Sequence, residues 1–180
     1  LPISLSNESE RLAKIEAIVN WSNPGKGGFY DDLGKAGAQP HLVKGSTYAE
    51  DPAMQRAPAS GMVVKSRIHE ARISSCTYAE TIHDYPLEMF YPTLDKNTPY
   101  RLRIVYGPEG AGNIKLLAND NIEIHPMRPK DMNYQPLEFD IPTEATKSGS
   151  LKLKWNRPPG IGGSGRGTQV AEVWLMPITK

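Results

Sequence analysis

The chain has 180 residues, 38% hydrophobic, 23% charged and 8% aromatic, with a net charge of +1 from 21 basic and 20 acidic side chains. That length supports one core of ordinary size, and the near-zero balance excludes electrostatic recruitment to nucleic acid or to an anionic membrane surface. No run approaches the ~20 apolar residues that a membrane span needs, and the 16 Gly and 16 Pro exceed their usual combined share of about 12%, which favours short strands and turns over a helical bundle. The single Cys76 makes no intrachain disulfide and is expected to be a small buried hydrophobe. No leader-type segment opens the chain, and a start at Leu1-Pro2 reads as a cut piece of something longer.

Residues 7 to 20 are predicted as the one helix. Asn7 caps it, Glu10 completes a capping box, and Leu12, Ile15, Ile18 and Val19 share one face at helical spacing. That stripe needs a covering surface, the domain's own sheet or a neighbouring domain. Pro24 ends the helix, since the residue before a proline is pushed out of the α region. Asn23 to Gly34 follows, with Gly25, Gly27 and Gly28, then Phe29-Tyr30-Asp31-Asp32, closed by Gly34. It reads as a tightly folded loop. Residues 35 to 60 show no period, and so long an irregular stretch in a compact domain is often functional.

From Gly61 the pattern turns to period two. One or two strands are expected within residues 62 to 76, with Cys76 in a strand. Further strands are marked by Leu87, Met89 and Tyr91; by Leu102, Ile104 and Tyr106; by Ile114, Leu116 and Ala118; and by Ile122 and Ile124. Residues 126 to 136 read as a loop. Leu137, Phe139 and Ile141 resume, 142 to 149 read as a turn or short helix, and Leu151, Leu153 and Trp155 alternate again. Residues 158 to 168 form a second glycine loop before an apolar strand from Val170 to Met176. About eight strands after one helix, with no βαβ rhythm, predict an all-β sandwich or barrel with long Gly/Pro-rich loops. Residues 1–22 are then the tail of a preceding region and 23–180 the β-sandwich.

Asp31 and Asp32 head the candidate chemistry. Neighbours in an extended segment point to opposite faces, whereas in a bent loop both reach one hard cation such as Ca²⁺, with backbone carbonyls completing the shell. Contact with ligand hydroxyls, or capping of the loop's own amides, are the other readings. Gly160 to Gly165 reads Gly-x-Gly-x-x-Gly but joins two strands, so it fails the context of a dinucleotide site. It presents Arg166, whose planar donor fork suits carboxylates or vicinal hydroxyls, or pairs with Asp31, Asp32 or Glu172. His41, His69, His83 and His125 are too scattered for a zinc spacing. Glu70, Glu80, Glu88 and Glu172 offer carboxylates, but nothing pairs them as a glycosidase would. Tyr30 and Tyr48 lie in loops and are the aromatic residues expected at a ligand; Trp155 and Trp174 are expected in the core.

The ending Leu151-Lys-Leu-Lys-Trp155 through Gly165-Arg-Gly-Thr-Gln-Val-Ala-Glu-Val-Trp-Leu175 resembles the closing hairpin of galactose-binding-like jelly-roll domains. Leu87 to Tyr106 resembles the paired strands of such modules. From about Trp21 onward the chain is similar to the C-terminal region of large secreted bacterial carbohydrate-active proteins, on the strength of the Asn23–Gly34 block and the Gly165–Trp174 ending. The resemblance implies a carbohydrate-binding-module-like accessory domain, a polysaccharide or oligosaccharide partner, further domains in a longer chain, a secreted, periplasmic or cell-surface location, and a structural Ca²⁺.

The expectation is thus a non-catalytic carbohydrate-binding module of a polysaccharide-degrading enzyme. Tyr30, Asp31, Asp32, His41 and Arg166 are expected to face one pocket, with Tyr48 as a further contact and Asp31 and Asp32 as the metal ligands. Two alternatives stay open: a domain that completes the active site of a glycoside hydrolase or lyase, and a docking domain in which the acids only tie loops together.

Overall fold

A computed structural model describes residues 7–47, 50, 57–58, 73–82, 84–107, 112–130, 134–160 and 166–178, with 57, 58, 73, 166 and 167 described through their backbone alone. Helix α1 (Glu8–Val19) forms as the pattern dictates, and the Asn7 side chain accepts from the Glu10 amide at 2.9 Å. Its apolar stripe is uncovered among the described residues: Leu12, Ile15, Ile18 and Val19 are 54%, 46%, 45% and 73% exposed. The domain's own sheet does not serve as the covering surface.

Ten strands follow among the described residues: β1 (Phe29–Asp32), β2 (Ala57–Pro58), β3 (Thr77–Ile82), β4 (Leu87–Tyr91), β5 (Tyr100–Tyr106), β6 (Asn113–Ala118), β7 (Ile122–Pro129), β8 (Leu137–Asp140), β9 (Leu151–Asn156) and β10 (Arg166–Pro177). They build two antiparallel sheets, one ordered β2-β3-β10-β5-β8 with β1 also on β10, the other β4-β9-β6-β7. Strand β10 is the hub of the larger sheet. β5 runs along one edge of it, while β3 and β1 share the other edge, at residues 166–170 and 172–175. The two sheets meet in one core. Leu102, Ile104, Val173 and Leu175 of the larger sheet pack with Leu87, Met89, Leu116, Leu153 and Trp155 of the smaller. This is the arrangement of a β-sandwich.

Three expectations change. The segment 29–32 is a strand and not a loop, because it pairs residue for residue with Leu175 to Glu172. Residues 73–76 form a helical turn, α2 (Ile73–Cys76), where a strand was expected; Ser75 there donates to Glu172 (2.6 Å), a long-range contact that overrides local pattern. The rest of that expected region, 62–72, lies outside the described residues. Strand β7 continues through Pro126, which a sheet-edge strand tolerates because the missing N–H has no partner to lose.

One buried polar relay crosses the core. Trp155 Nε1 donates to Tyr106 Oη (3.3 Å), which lies 2.6 Å from His125 Nε2, and His125 Nδ1 lies 2.8 Å from the Pro126 carbonyl. A carbonyl only accepts, so the proton sits on Nδ1 and Nε2 accepts from Tyr106. Burial first, and then Arg128, holds this imidazole below its ordinary value of 6.5. A lowered folded value makes the unfolded state bind the extra proton first. Stability is therefore full above about pH 6.5 and declines as the pH falls from there through the folded value. His125→Phe is expected to flatten that acid limb in melting-temperature profiles between pH 4 and 8; an unchanged slope would remove His125 as its source.

Candidate functional site

The Asn23–Gly34 block is built for close approach. Gly25 and Gly27 have φ of +84° and +79°, the left-handed region that glycine enters without strain. A Cβ on Gly28 would stand 2.7 Å from the Leu175 carbonyl oxygen, and one on Gly34 would fall on Thr77. The glycines let β1 lie against β10 and let the next turn pass beneath β3.

Strand alternation then separates the two aspartates. Asp31 points into the sandwich and is fully buried. It accepts from His41 Nδ1 at 2.9 and 3.0 Å and from Tyr91 Oη at 3.1 Å. The His41 ring stacks on Tyr91 at 4.4 Å and meets the edge of Phe29 at 4.9 Å. Burial first, then the Asp31 charge, pushes the Tyr91 phenol well above its usual range. Tyr91 belongs to the smaller sheet and Asp31 to the larger, so the carboxylate is a tie between sheets.

Tyr30 and Asp32 leave β1 on the outer face. There Glu172, fully buried, accepts from Trp21 Nε1 (2.8 Å) and Tyr30 Oη (2.7 Å) on one oxygen and from Ser75 Oγ (2.6 Å) on the other. Trp174 Nε1 donates to the Trp21 carbonyl (2.7 Å), and its ring contacts those of Trp21 and Tyr30 at 5.4 and 5.0 Å. Asp32 lies directly opposite Glu172 in the register. Burial, then the Glu172 charge, raises its carboxyl, and its Oδ1 is buried without a hydrogen-bond partner among the described residues. Burial and Glu172 likewise raise the Cys76 thiol, which is the wrong direction for a nucleophile.

The structure therefore brings Asp31 and His41 together, and Tyr30 with Glu172, but does not unite the two sets. Asp31 and Asp32 are on opposite faces and do not converge on one cation, and among the described residues no three His, Cys, Asp or Glu side chains gather as a metal site. The side chain of Arg166 and all of Tyr48, His69 and His83 lie outside the described residues; the Arg166 backbone opens β10 opposite Ile82.

A cleft that the sequence reading missed lies elsewhere. It has a volume of about 200 Å³ and is lined by Val43, Gly45, Glu50, Tyr85, Pro86 and Glu88. Residues 41–43 add to the edge of β4: Phe90 N donates to His41 O (2.8 Å), Val43 N to Glu88 O (2.9 Å), and Leu42 bridges Met89. A Cβ on Gly45 would crowd the Glu50 carbonyl at 2.7 Å, so glycine there lets this wall close. Tyr85 and Pro86 line it too, and Thr81 Oγ1 donates to the Tyr85 carbonyl (2.7 Å). Tyr85 is 41% exposed. Glu88 points outward from β4 and meets Lys152 Nζ at 3.1 Å and Lys154 Nζ at 3.6 Å; Ser46 Oγ donates to Glu50 at 3.2 Å. The available signals were the irregular 35–60 stretch and the outward position of Glu88 in the β4 alternation.

No protein family matches the sequence, and no curated protein does. Solved structures match the fold. A plant receptor-like kinase, ANX2, aligns at a TM-score of 0.56 with 13% identity, over 84% of this chain and 48% of that one. The ANX1 ectodomain from Arabidopsis thaliana gives 0.56 and 12% over the same shares. A complex of the plant peptide RALF23 with FER and LLG2 gives 0.52 and 14%, over 84% and 43%. The chain spans about half the length of the first two.

Two substitutions test the Glu172 cluster. Glu172→Ala leaves three donors without their acceptor and is expected to cost ~3 kcal/mol or more, whereas Glu172→Gln, which keeps one carbonyl oxygen, costs less than half of that. Urea unfolding midpoints measure both, and equal losses would contradict the proposed sharing of Oε1.

Proposed function

We propose that this chain is a non-catalytic carbohydrate-binding accessory module, a β-sandwich of the galactose-binding-like jelly-roll kind, belonging to a longer secreted protein. The observation that carries the reading is the cleft beside β4. It sets an exposed tyrosine face next to two carboxylates, Glu50 and Glu88. Sugar sites combine an aromatic face for the C–H side of the ring with a few fixed polar groups for its hydroxyls, and small-ligand sites in general are concave with few polar anchors. The match to receptor ectodomains supports the fold, and no helix among the described residues is long and apolar enough to cross a membrane.

The fully buried acids suit this function less well. Asp31 and Glu172 are fully buried and already accept from two or three side chains each. Asp31 orients His41 as a general-base pair would. That pair is the one observation favouring the enzymatic reading, with the ring 15% exposed. Turnover of a chromogenic glycoside, lost in His41→Ala, would establish it in place of the binding role.

Titration against an oligosaccharide panel, with Ca²⁺ and with chelator, tests the proposal. A sugar-dependent rise in melting temperature is expected, and Tyr85→Ala should weaken binding at least tenfold while melting within about 2 °C of the parent. Binding that survives Tyr85→Ala unchanged would remove the cleft as the site; a rise with Ca²⁺ alone would make the protein a metal binder.

A further inference from the structure

The pairing of β1 with β10 contains one contact that works against it. Asp32 stands directly opposite Glu172 in the register, and like charges directly opposite each other on an antiparallel pair are destabilising. We infer that these two carboxylates form a proton-operated latch: a proton taken up at Asp32 tightens β1 on β10, and its loss loosens β1 together with the Trp21 end of the helical segment.

Glu172 cannot relieve the opposition itself. It is fully buried, and its oxygens are taken by Trp21 Nε1, Tyr30 Oη and Ser75 Oγ. Asp32 is held less completely. The Gly34 and Lys35 amides donate to its carboxylate, while its Oδ1 is buried without a hydrogen-bond partner among the described residues. A proton on that carboxyl removes the charge and adds a donor. The groups packed around the pair leave the like charges opposed. Among the described residues Lys35 is the cation that acts on Asp32. Burial first, and then Glu172, pushes up both the Tyr30 phenol and the Cys76 thiol, so both stay neutral. The Arg103 guanidinium lies 5.8 Å from the Trp174 ring and is held by Glu138 at 2.6 and 2.8 Å. Asp31 and its partner His41 lie on the inner side of β1.

The direction of the latch follows from the same contacts. Burial first, and then the Glu172 charge, raises the Asp32 carboxyl above its ordinary value of 3.8. A raised folded value gives stability that is complete below pH 3.8 and is lost as the pH rises through the folded value. The latch is therefore tight in acid and loose at neutral pH. Its reach extends to the helix. Tyr30 and Trp21 donate to the same Glu172 oxygen, so β1 and Trp21 are coupled through one atom. Helix α1 buries none of its residues, and among the described residues the Trp21 contacts join it to the sandwich. The latch thus governs how firmly α1 is held.

Acrylamide quenching of tryptophan fluorescence reads this directly, because Trp155 and Trp174 are fully buried and Trp21 is not. Between pH 4.5 and 8 the quenching constant of the parent is expected to rise about twofold as Asp32 ionises, and in Asp32→Asn it should stay flat at the low value. Lys35→Gln removes the charge that favours the carboxylate, so the midpoint should move to higher pH. Amide exchange of Tyr30 and Asp32, corrected for the intrinsic rate, reads the parent alone should Asp32→Asn fail to fold; protection should fall over the same range. Quenching that is flat with pH in the parent, a rise that persists in Asp32→Asn, protection that does not fall, or a midpoint that Lys35→Gln leaves in place would overturn the latch.

Discussion

The amino-terminal part of the domain depends on the docking of four residues, Phe29 to Asp32, onto Glu172 to Leu175. Period-two alternation in so short a strand decides everything downstream of it. Phe29 and Asp31 turn inward, Tyr30 and Asp32 outward. Inward, Asp31 joins the larger sheet to Tyr91 of the smaller one through a carboxylate that also fixes His41. Outward, Tyr30 reaches Glu172, which collects Trp21 and Ser75 as well. Glu172 thereby holds the end of the helical segment, β1 and α2 to one point on β10. A buried carboxylate is costly unless fully hydrogen-bonded, and three donors meet that condition here.

This arrangement explains the composition of the glycine block without recourse to a ligand. Two of its glycines take left-handed backbone angles and two others leave no room for a Cβ. The pattern of glycines, aromatics and acids is that of a short strand laid along the edge of β10. Of its acids, Asp31 ties the two sheets together. The described contacts of Asp31 are to His41 and Tyr91, within the domain itself.

Much of the sandwich was legible because its strands alternate cleanly. Leu102, Ile104 and Tyr106 against Arg101 and Arg103, or Leu151, Leu153 and Trp155 against Lys152 and Lys154, announce one wet face and one dry face, and the structure buries the apolar sets. Helix α1 was legible from its cap and spacing. What failed was set by tertiary contact. β1 has no alternation of its own to read, and α2 forms where Ser75 meets a glutamate 97 positions away. The cleft was illegible for the same reason. Val43, Tyr85 and Glu88 are gathered by the bridge of residues 41–43 onto β4, a pairing that no local period encodes.

The ligand surface proposed here is the cleft at the β4 edge, with the glycine-rich acidic block as scaffold. Backbone amide chemical-shift mapping during titration with a neutral oligosaccharide tests it most directly. The perturbed amides are expected to cluster at Val43, Gly45, Glu50, Tyr85 and Glu88, with those of Phe29 to Gly34 unmoved. Perturbations concentrated on Tyr30, Asp32 and Glu172, with a silent β4 edge, would contradict it.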